Sequence, residues 1–511
     1  TSAPPLTPVA SNQRINALDI LRGFALIGIL LMNIEWFGRP ITELGGFNPE
    51  LTGLDHAIGW LIRCFVEGKF YKLFALLFGM GFAVMLTQAM RKDRPFGAWF
   101  TRRMLVLFVL GIMHMFFVWQ GDILHDYALA GLLLLGFIYL LRKKRFQKFN
   151  NPTSILKLAL WWLTVPMLLA SIAGIGFGVF VDHQSLSKQW KKDQEIRVLV
   201  TELEIKALET KESQLEEEVQ TTVVTSKVLS DELLNTELPT EETKIVEADI
   251  DGDAQEVEVA ENEEEAEAEL TPQEQAQEIF DYEQEQAQDG ADERAVKVDG
   301  SYWQVTVFRV KASMKWLLFS PVFALTLLVP IFLLGYWLVI SGAIREHSKH
   351  AKLFGYMARI GLGVGIFVTV GGLLIMGHPA VEDIGPLQGV ANVLFTGGQF
   401  FMAAGYLGVL VRLLDSPKCY KILVTLAPMG RMALTNYIMH SIILTSIFYG
   451  YAGGFYGEIS RAPQMLIVLA IVLLQVLLSR WWLQRYQFGP LEWLWRSLTY
   501  KARQPFKVIP S

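Results

Sequence analysis

His114 lies within an apolar run, Met104–Trp119, and a second apolar run, Ile123–Leu141, follows almost at once. Between the two stand Gly121 and Asp122, which makes a tight helical hairpin with a carboxylate at its tip. Counted from Met104, His114 is about 15 Å along its helix, near the middle of a membrane. An ionisable group at that depth is costly and marks a functional site, the alternative being a packed His bonded to a neighbouring carbonyl. An imidazole oriented by a carboxylate is a general base, and His114 with Asp122 is the evident pair. Eight residues of helix measure about 12 Å, so contact between them requires the chain to bend at the tip. Two cations complete the set. Asp19 and Arg22 share one helix face at i,i+3, either as a local ion pair with Arg22 reaching the headgroups or as a cationic site for a phosphorylated ligand. Arg431 opens a stretch that continues to Asn436 and His440, stepping inward to the depth of Asn33 and His114.

The elements that must position these groups are membrane spans. The chain has 511 residues, of which 52% are hydrophobic, with 32 Phe and 14 Trp, and a mean hydropathy of +0.33. Spans are predicted at 17–37, 70–90, 104–120, 123–141, 155–181, 316–340, 354–377, 388–413, 423–449 and 463–483, each near the length that crosses about 30 Å of hydrocarbon. Lys and Arg cluster at 91–103, 142–145, 345–352, 412–421 and 485–507, which ten alternating spans place on one side. By the positive-inside rule that side is the cytosol, with both termini on it. The hairpin tip then faces outward. Leu54–Val66 is apolar but too short to span, and suits a re-entrant or interfacial helix on the outer face.

The fold class expected is an all-α integral membrane protein, a bundle of about ten helices with an acidic, partly disordered extracytoplasmic insert. Residues 1–16 read as a cytosolic leader, 17–181 and 316–484 as halves of five spans each, and 485–511 as a basic cytosolic tail. Residues 182–315 form the insert. Residues 183–300 hold 35 of the 51 acidic residues but only 10 of the 45 basic ones, so the rest of the chain is strongly basic and suits anionic lipid. Apolar spacing predicts helix from about Gln194 to Leu234, as a stalk or short coiled coil, and composition predicts disorder from Glu237 to Asp292.

Several chemistries find no support in the sequence. There is no phosphate loop, no Cys pair at metal spacing and no Gly-x-Ser-x-Gly elbow. Cys64 and Cys419 fall on opposite sides of the membrane, so no disulfide is expected, and neither a metal nor nucleic acid is expected as a partner. Gly361, Gly363 and Gly365 lie inside a span and read as close helix packing.

The opening Leu18-Asp19 with Arg22-Gly23, and the run Gly28 to Ile34, resemble the YeiB family of bacterial membrane proteins. Lys69-Phe70 with Leu73 to Gly79, His114 ahead of Gly121 to Leu124 and Tyr127, Gly430 to Tyr437, and Gly489 to Arg496 carry the same resemblance. The matching blocks cover the chain outside residues 182–315. The insert is unusually long for the family, and His440 stands where Gln is expected. The family is similar in architecture to the transmembrane acyltransferases, which take an acyl group from cytosolic acyl-CoA and deliver it to a hydroxyl or amine on the far side.

That resemblance implies acyl-CoA as donor, an extracytoplasmic acceptor such as a sugar, membrane lipid around the bundle, and a homodimer as the assembly to look for. It gives His114 the part of base with Asp122 beside it, and Asn33, Asn436 or Lys69 the part of oxyanion donors. Arg22 with Asp19, Arg431, Asn436 and Lys69 would form the acyl-CoA site, the arginines on the phosphates. Two rival readings remain. In a permease for a small polar or anionic solute, the same residues line a pathway. In a non-catalytic envelope or sensor protein, the insert does the work.

Overall fold

The computed structural model describes residues 16–40, 52–93, 95–180, 196–211, 213, 271–377 and 386–508. Its helices, in chain order, are α1 (Asn16–Gly38), α2 (Gly53–Phe65), α3 (Lys69–Arg91), α4 (Gly97–Phe117), α5 (Leu124–Leu141) and α6 (Pro152–Phe180). There follow α7 over 196–211, α8 (Pro272–Asp299), α9 (Tyr302–Phe323), α10 (Val329–Ile340), α11 (Ala351–Met376) and α12 (Pro386–Leu414). The last are α13 (Pro417–Leu423), α14 (Ala427–Arg431), α15 (Ala433–Phe448), α16 (Arg461–Arg485) and α17 (Pro490–Tyr500). Among the described residues the one extended pairing is an isolated bridge between Tyr486 and Lys507. The protein is an all-α membrane protein.

Eight described stretches are long and apolar enough to cross a membrane, α2 with α3 and α9 with α10 each forming one stretch. Helix α6 covers the span expected at 155–181 but is not among the eight. The one expected at 423–449 is broken: Met432, at φ −106° and ψ 35°, leaves helical geometry, and α15 has only 16 residues. The break lies where α1 approaches most closely. A Cβ on Gly430 would fall on the carbonyl oxygen of Asp19, and one on Gly23 on that of Leu426, so the two backbones touch.

α2 is a separate short helix, ended by Gly68 in the left-handed region at φ 75°. The ring of Phe70, just beyond that turn, occupies the space where a side chain on Gly28 would stand, halfway along α1. Asp55 Oδ1 accepts from the backbone N–H of Ala462 (2.7 Å), the start of α16. α2 thus begins beside the start of α16 and stops level with the middle of α1. Gly361 and Gly365 of α11 meet Gly405 and Met402 of α12 at backbone distance, the close packing their spacing predicts, whereas Gly363 faces open space.

Two expectations shift. Helix α8 covers Pro272–Asp299, where composition predicted disorder to Asp292; Ala276 is buried there, while Ile279 is exposed. Residues 237–270 lie outside the described residues. The chain divides into one compact unit of 1–180 with 289–511 and a second of 181–288, so the bundle begins well before residue 316. In the second unit Ile196 and Val200 of α7 pack with Ala276.

Candidate functional site

α4 ends at Phe117 because the backbone N–H groups of Val118 and Trp119 both turn back to the His114 carbonyl (2.9 Å each). The chain reverses over the next residues, and Asp122 returns to α4. Its Oδ1 lies 2.9 Å from His114 Nδ1, so the bend at the tip brings the pair into direct contact. Gly111 makes this possible, since a Cβ there would collide with the His125 backbone. The second carboxylate oxygen, Oδ2, accepts from the His125 backbone N–H (3.1 Å) and lies 2.9 Å from His125 Nδ1. His125 Nε2 meets Ser320 Oγ at 2.9 Å and Asp126 Oδ1 at 3.4 Å. One carboxylate therefore holds two imidazoles by the same ring nitrogen. With a proton on each Nδ1, both Nε2 atoms are left as lone pairs. That of His114 is buried and has no hydrogen-bond partner among the described residues.

Two features of this hairpin differ from the sequence reading. α4 starts at Gly97, not Met104, so His114 is about 25 Å along it, in the last turn and not at mid-membrane. The tip is also covered. Tyr302 donates to the Phe117 carbonyl (2.8 Å) and Arg309 to that of Phe116 (3.1 Å), which lays α9 across the turn. Trp119 stacks on Phe37 of α1 at 4.2 Å, and the Asp122 side chain is fully buried. Ser320 belongs to this cover. It precedes Pro321 and a π-helical turn, Ala324–Leu328, that joins α9 to α10.

A cavity of about 280 Å³ opens at the other end of the same helices. Arg22, Lys92, Arg103, Arg431 and Arg496 line its mouth with Asp19 and Glu492, five cations against two carboxylates. Asp19 is held by Arg22 at 3.2 Å. Arg103 is buried against the Trp495 ring, 3.5 Å from its centroid, and Trp495 Nε1 donates to the Arg103 carbonyl (2.8 Å). Glu492 accepts from the backbone N–H groups of Leu434 (2.7 Å) and Thr435 (3.1 Å) and from the Thr435 hydroxyl (2.6 Å). It caps α15, whose own cap position, Met432, has no oxygen to offer. Burial pushes the Glu492 carboxyl above its ordinary value against those hydrogen bonds. Deeper in, the walls are apolar and aromatic, with Phe74, Phe78, Ile123, Tyr127 and Tyr437. The Tyr437 ring is 5.3 Å from that of His114, so a single aromatic ring stands between the cavity and the acid–base cluster.

Comparison with known proteins places this geometry. Residues 338–502 match the family described as "Protein of unknown function (DUF418)". The chain is 28% identical over 509 residues to "Uncharacterized protein YxaH" of Bacillus subtilis (strain 168), covering 98% of each chain. It is 25% identical over 500 residues to "Uncharacterized protein YeiB" of Escherichia coli (strain K12), covering 96% of this chain and 98% of that one. These matches support a YeiB-like family. No solved structure matches this chain significantly. The stretch that matches DUF418 supplies Arg431, Glu492 and Arg496 to the mouth of the cavity, while the His114 hairpin lies outside it in the YeiB-like first half.

Of the residues singled out in the sequence, the structure brings His114 to Asp122, and gathers Asp19, Arg22 and Arg431 at one mouth. It leaves four elsewhere. Asn33 is half-buried on α1 and does not line the cavity. Asn436 is fully buried, its amide donating to the Met429 carbonyl and to Ser479 (3.0 Å each). Lys69 donates to the Arg63 carbonyl (2.6 Å) at the α2–α3 turn. His440 Nε2 pairs with Gln475 Oε1 at 2.6 Å, away from the cavity. Sequence reasoning passed over Ser320, Arg103, Tyr437 and Glu492. For His125 a signal was available, its i,i+3 spacing from Asp122.

Proposed function

We propose that this protein is a membrane-embedded acyltransferase, taking an acyl group from cytosolic acyl-CoA and passing it to a hydroxyl or amine of an envelope acceptor on the opposite face. The observation that carries this reading is the sequence of environments along one path: a cationic mouth, an apolar throat, and a carboxylate-oriented imidazole behind a single tyrosine ring. An anionic donor with an apolar arm fits that order. The arginines and Lys92 would hold phosphate oxygens, with Arg able to bind them in bidentate fashion. At about 280 Å³ the cavity takes an arm of such a donor and not the whole of it.

In the transfer step the acceptor oxygen or nitrogen attacks the thioester carbonyl carbon while His114 Nε2 takes its proton. The C–S bond then breaks, and the CoA thiolate leaves and recovers a proton. Asp122 keeps Nδ1–H in place and stabilises the imidazolium that forms. Tyr437 must turn aside for the thioester to meet His114. The basic loops support a mouth on the cytosolic side of an inner membrane, with both termini on that side.

The test is turnover by the full-length protein in nanodiscs. Labelled acetyl-CoA and longer acyl-CoAs are supplied with an envelope extract, and free thiol and labelled product are followed. Acyl-CoA-dependent thiol release with transfer of label supports the reading. Undetectable acyl-CoA binding, together with solute flux in proteoliposomes, would replace it with a permease.

A further inference from the structure

The turn between α2 and α3 carries Arg63, Glu67, Lys69 and Lys72 at half the depth of the bundle. Glu67 is taken up by Arg63, at 3.5 Å. Lys69 and Lys72 are 0% and 1% exposed, and among the described residues neither forms an ion pair. Lys69 Nζ meets the Arg63 carbonyl and lies 5.0 Å from the Phe395 ring centroid. Lys72 Nζ meets the Gly68 carbonyl (3.0 Å) and Gln399 Oε1, and lies 4.7 Å from the centroid of Phe400. The two carbonyls have a local explanation, because a helix that ends inside a bundle needs donors for its last oxygens. What they leave unexplained is charge. The atoms that touch each ammonium are neutral acceptors and rings, and the carboxylate nearby, Glu67, is shared with Arg63, so three cations stand against one anion where hydration is lost.

We infer that the α2–α3 turn is an anion-binding site that takes a phosphate or carboxylate group, entered from the face where α2 enters and opposite to the basic cavity. Gln399 marks the position. Its amide oxygen accepts from Lys72 where an anionic oxygen would do so more strongly, and it reaches that place because Gly68 has no Cβ to block it. Gln399 swings away when the anion enters, and the lysines then hold the anion from one side with Arg63 beside them. The site does not depend on the acyl-transfer reading, since none of its residues lines the cavity. The chemistry has two sources, the headgroup of an anionic lipid and a soluble phosphate.

The experiment uses the full chain in phosphatidylcholine nanodiscs. The melting temperature is read with added inorganic phosphate, and separately with part of the lipid replaced by phosphatidylglycerol. Arg431→Ala serves as background to remove the response of the cavity. At least one anion should raise the melting temperature, and the arm that responds names the source. Lys72→Met should weaken that response about tenfold or more, as loss of a charge-assisted bond does. Gln399→Glu, which supplies a carboxylate from within, should melt higher than wild type in phosphatidylcholine and respond no further to anion. The inference is overturned if neither anion moves the wild type, or if Gln399→Glu keeps the full response.

Discussion

His114 and Asp122, eight residues apart, are in hydrogen-bond contact at 2.9 Å because α4 stops at Phe117 and the chain folds back on itself. The contact is made within the hairpin, and both of its side chains are buried. The two nitrogens of the His114 ring differ in their surroundings: Nδ1 is fixed by the carboxylate, and Nε2 is buried with no hydrogen-bond partner among the described residues.

If His114 is the base, His114→Gln should express and melt near wild type, bind acyl-CoA, and lose transfer by a factor on the order of 10² or more. His440→Gln should be almost silent. Full transfer activity in His114→Gln would pass the role to His125, the other imidazole on Asp122.

At the mouth, Arg22→Ala and Arg431→Ala should each weaken acyl-CoA binding by about 1.5–3 kcal/mol, the scale of a hydrogen bond to a charged group. Arg412→Ala, on an exposed residue paired with Asp415 outside the cavity, should leave binding unchanged. Titration calorimetry on the four proteins separates the two outcomes.

Gly430→Ala should lower the melting temperature and cost about 1–3 kcal/mol, because its Cβ would fall on the Asp19 carbonyl and push α14 off α1. Gly363→Ala, with open space around it, should be neutral. Equal effects of the two would mean that the α1–α14 approach is not the tight contact described.

Glu492 gives a pH signature. Its carboxyl is raised by burial, so the folded protein keeps the proton over a range where the unfolded chain has lost it. Its stabilising contribution is complete below the ordinary carboxylate value and is lost as pH rises through the folded one. Glu492→Gln removes this titration. The melting temperature of wild type minus that of the variant should therefore fall as pH rises above the ordinary carboxylate value. A difference independent of pH would show that the carboxyl is not raised.

Hydropathy made most of the spans legible, and the spacing of His114, Gly121 and Asp122 made the hairpin legible. A window average reports composition, however, and cannot report depth. It read α4 from Met104 because Trp99, Arg102 and Arg103 dilute its first turns, and so placed His114 too near the middle. For the same reason α14 and α15 looked like one span, since Met432 is apolar whether or not its backbone is helical. Ser320 and Glu492 were invisible for another cause. Their partners, His125 and Thr435, are distant in sequence, and neither residue is unusual in its own segment. Residues 490–500, read as basic tail, form α17 and wall the cavity because Glu492 finds uncapped N–H groups there.

The cover over the hairpin is one arm of a helix whose other arm crosses the bundle, and the two meet at the π turn Ala324–Leu328. A helix yields most readily where its hydrogen-bond ladder is already irregular. Ser320 sits one turn before that weak point and is bonded to His125. Whatever approaches the imidazoles from the covered face has to move α9 as a lever, and its fulcrum lies beside the serine that touches the histidine.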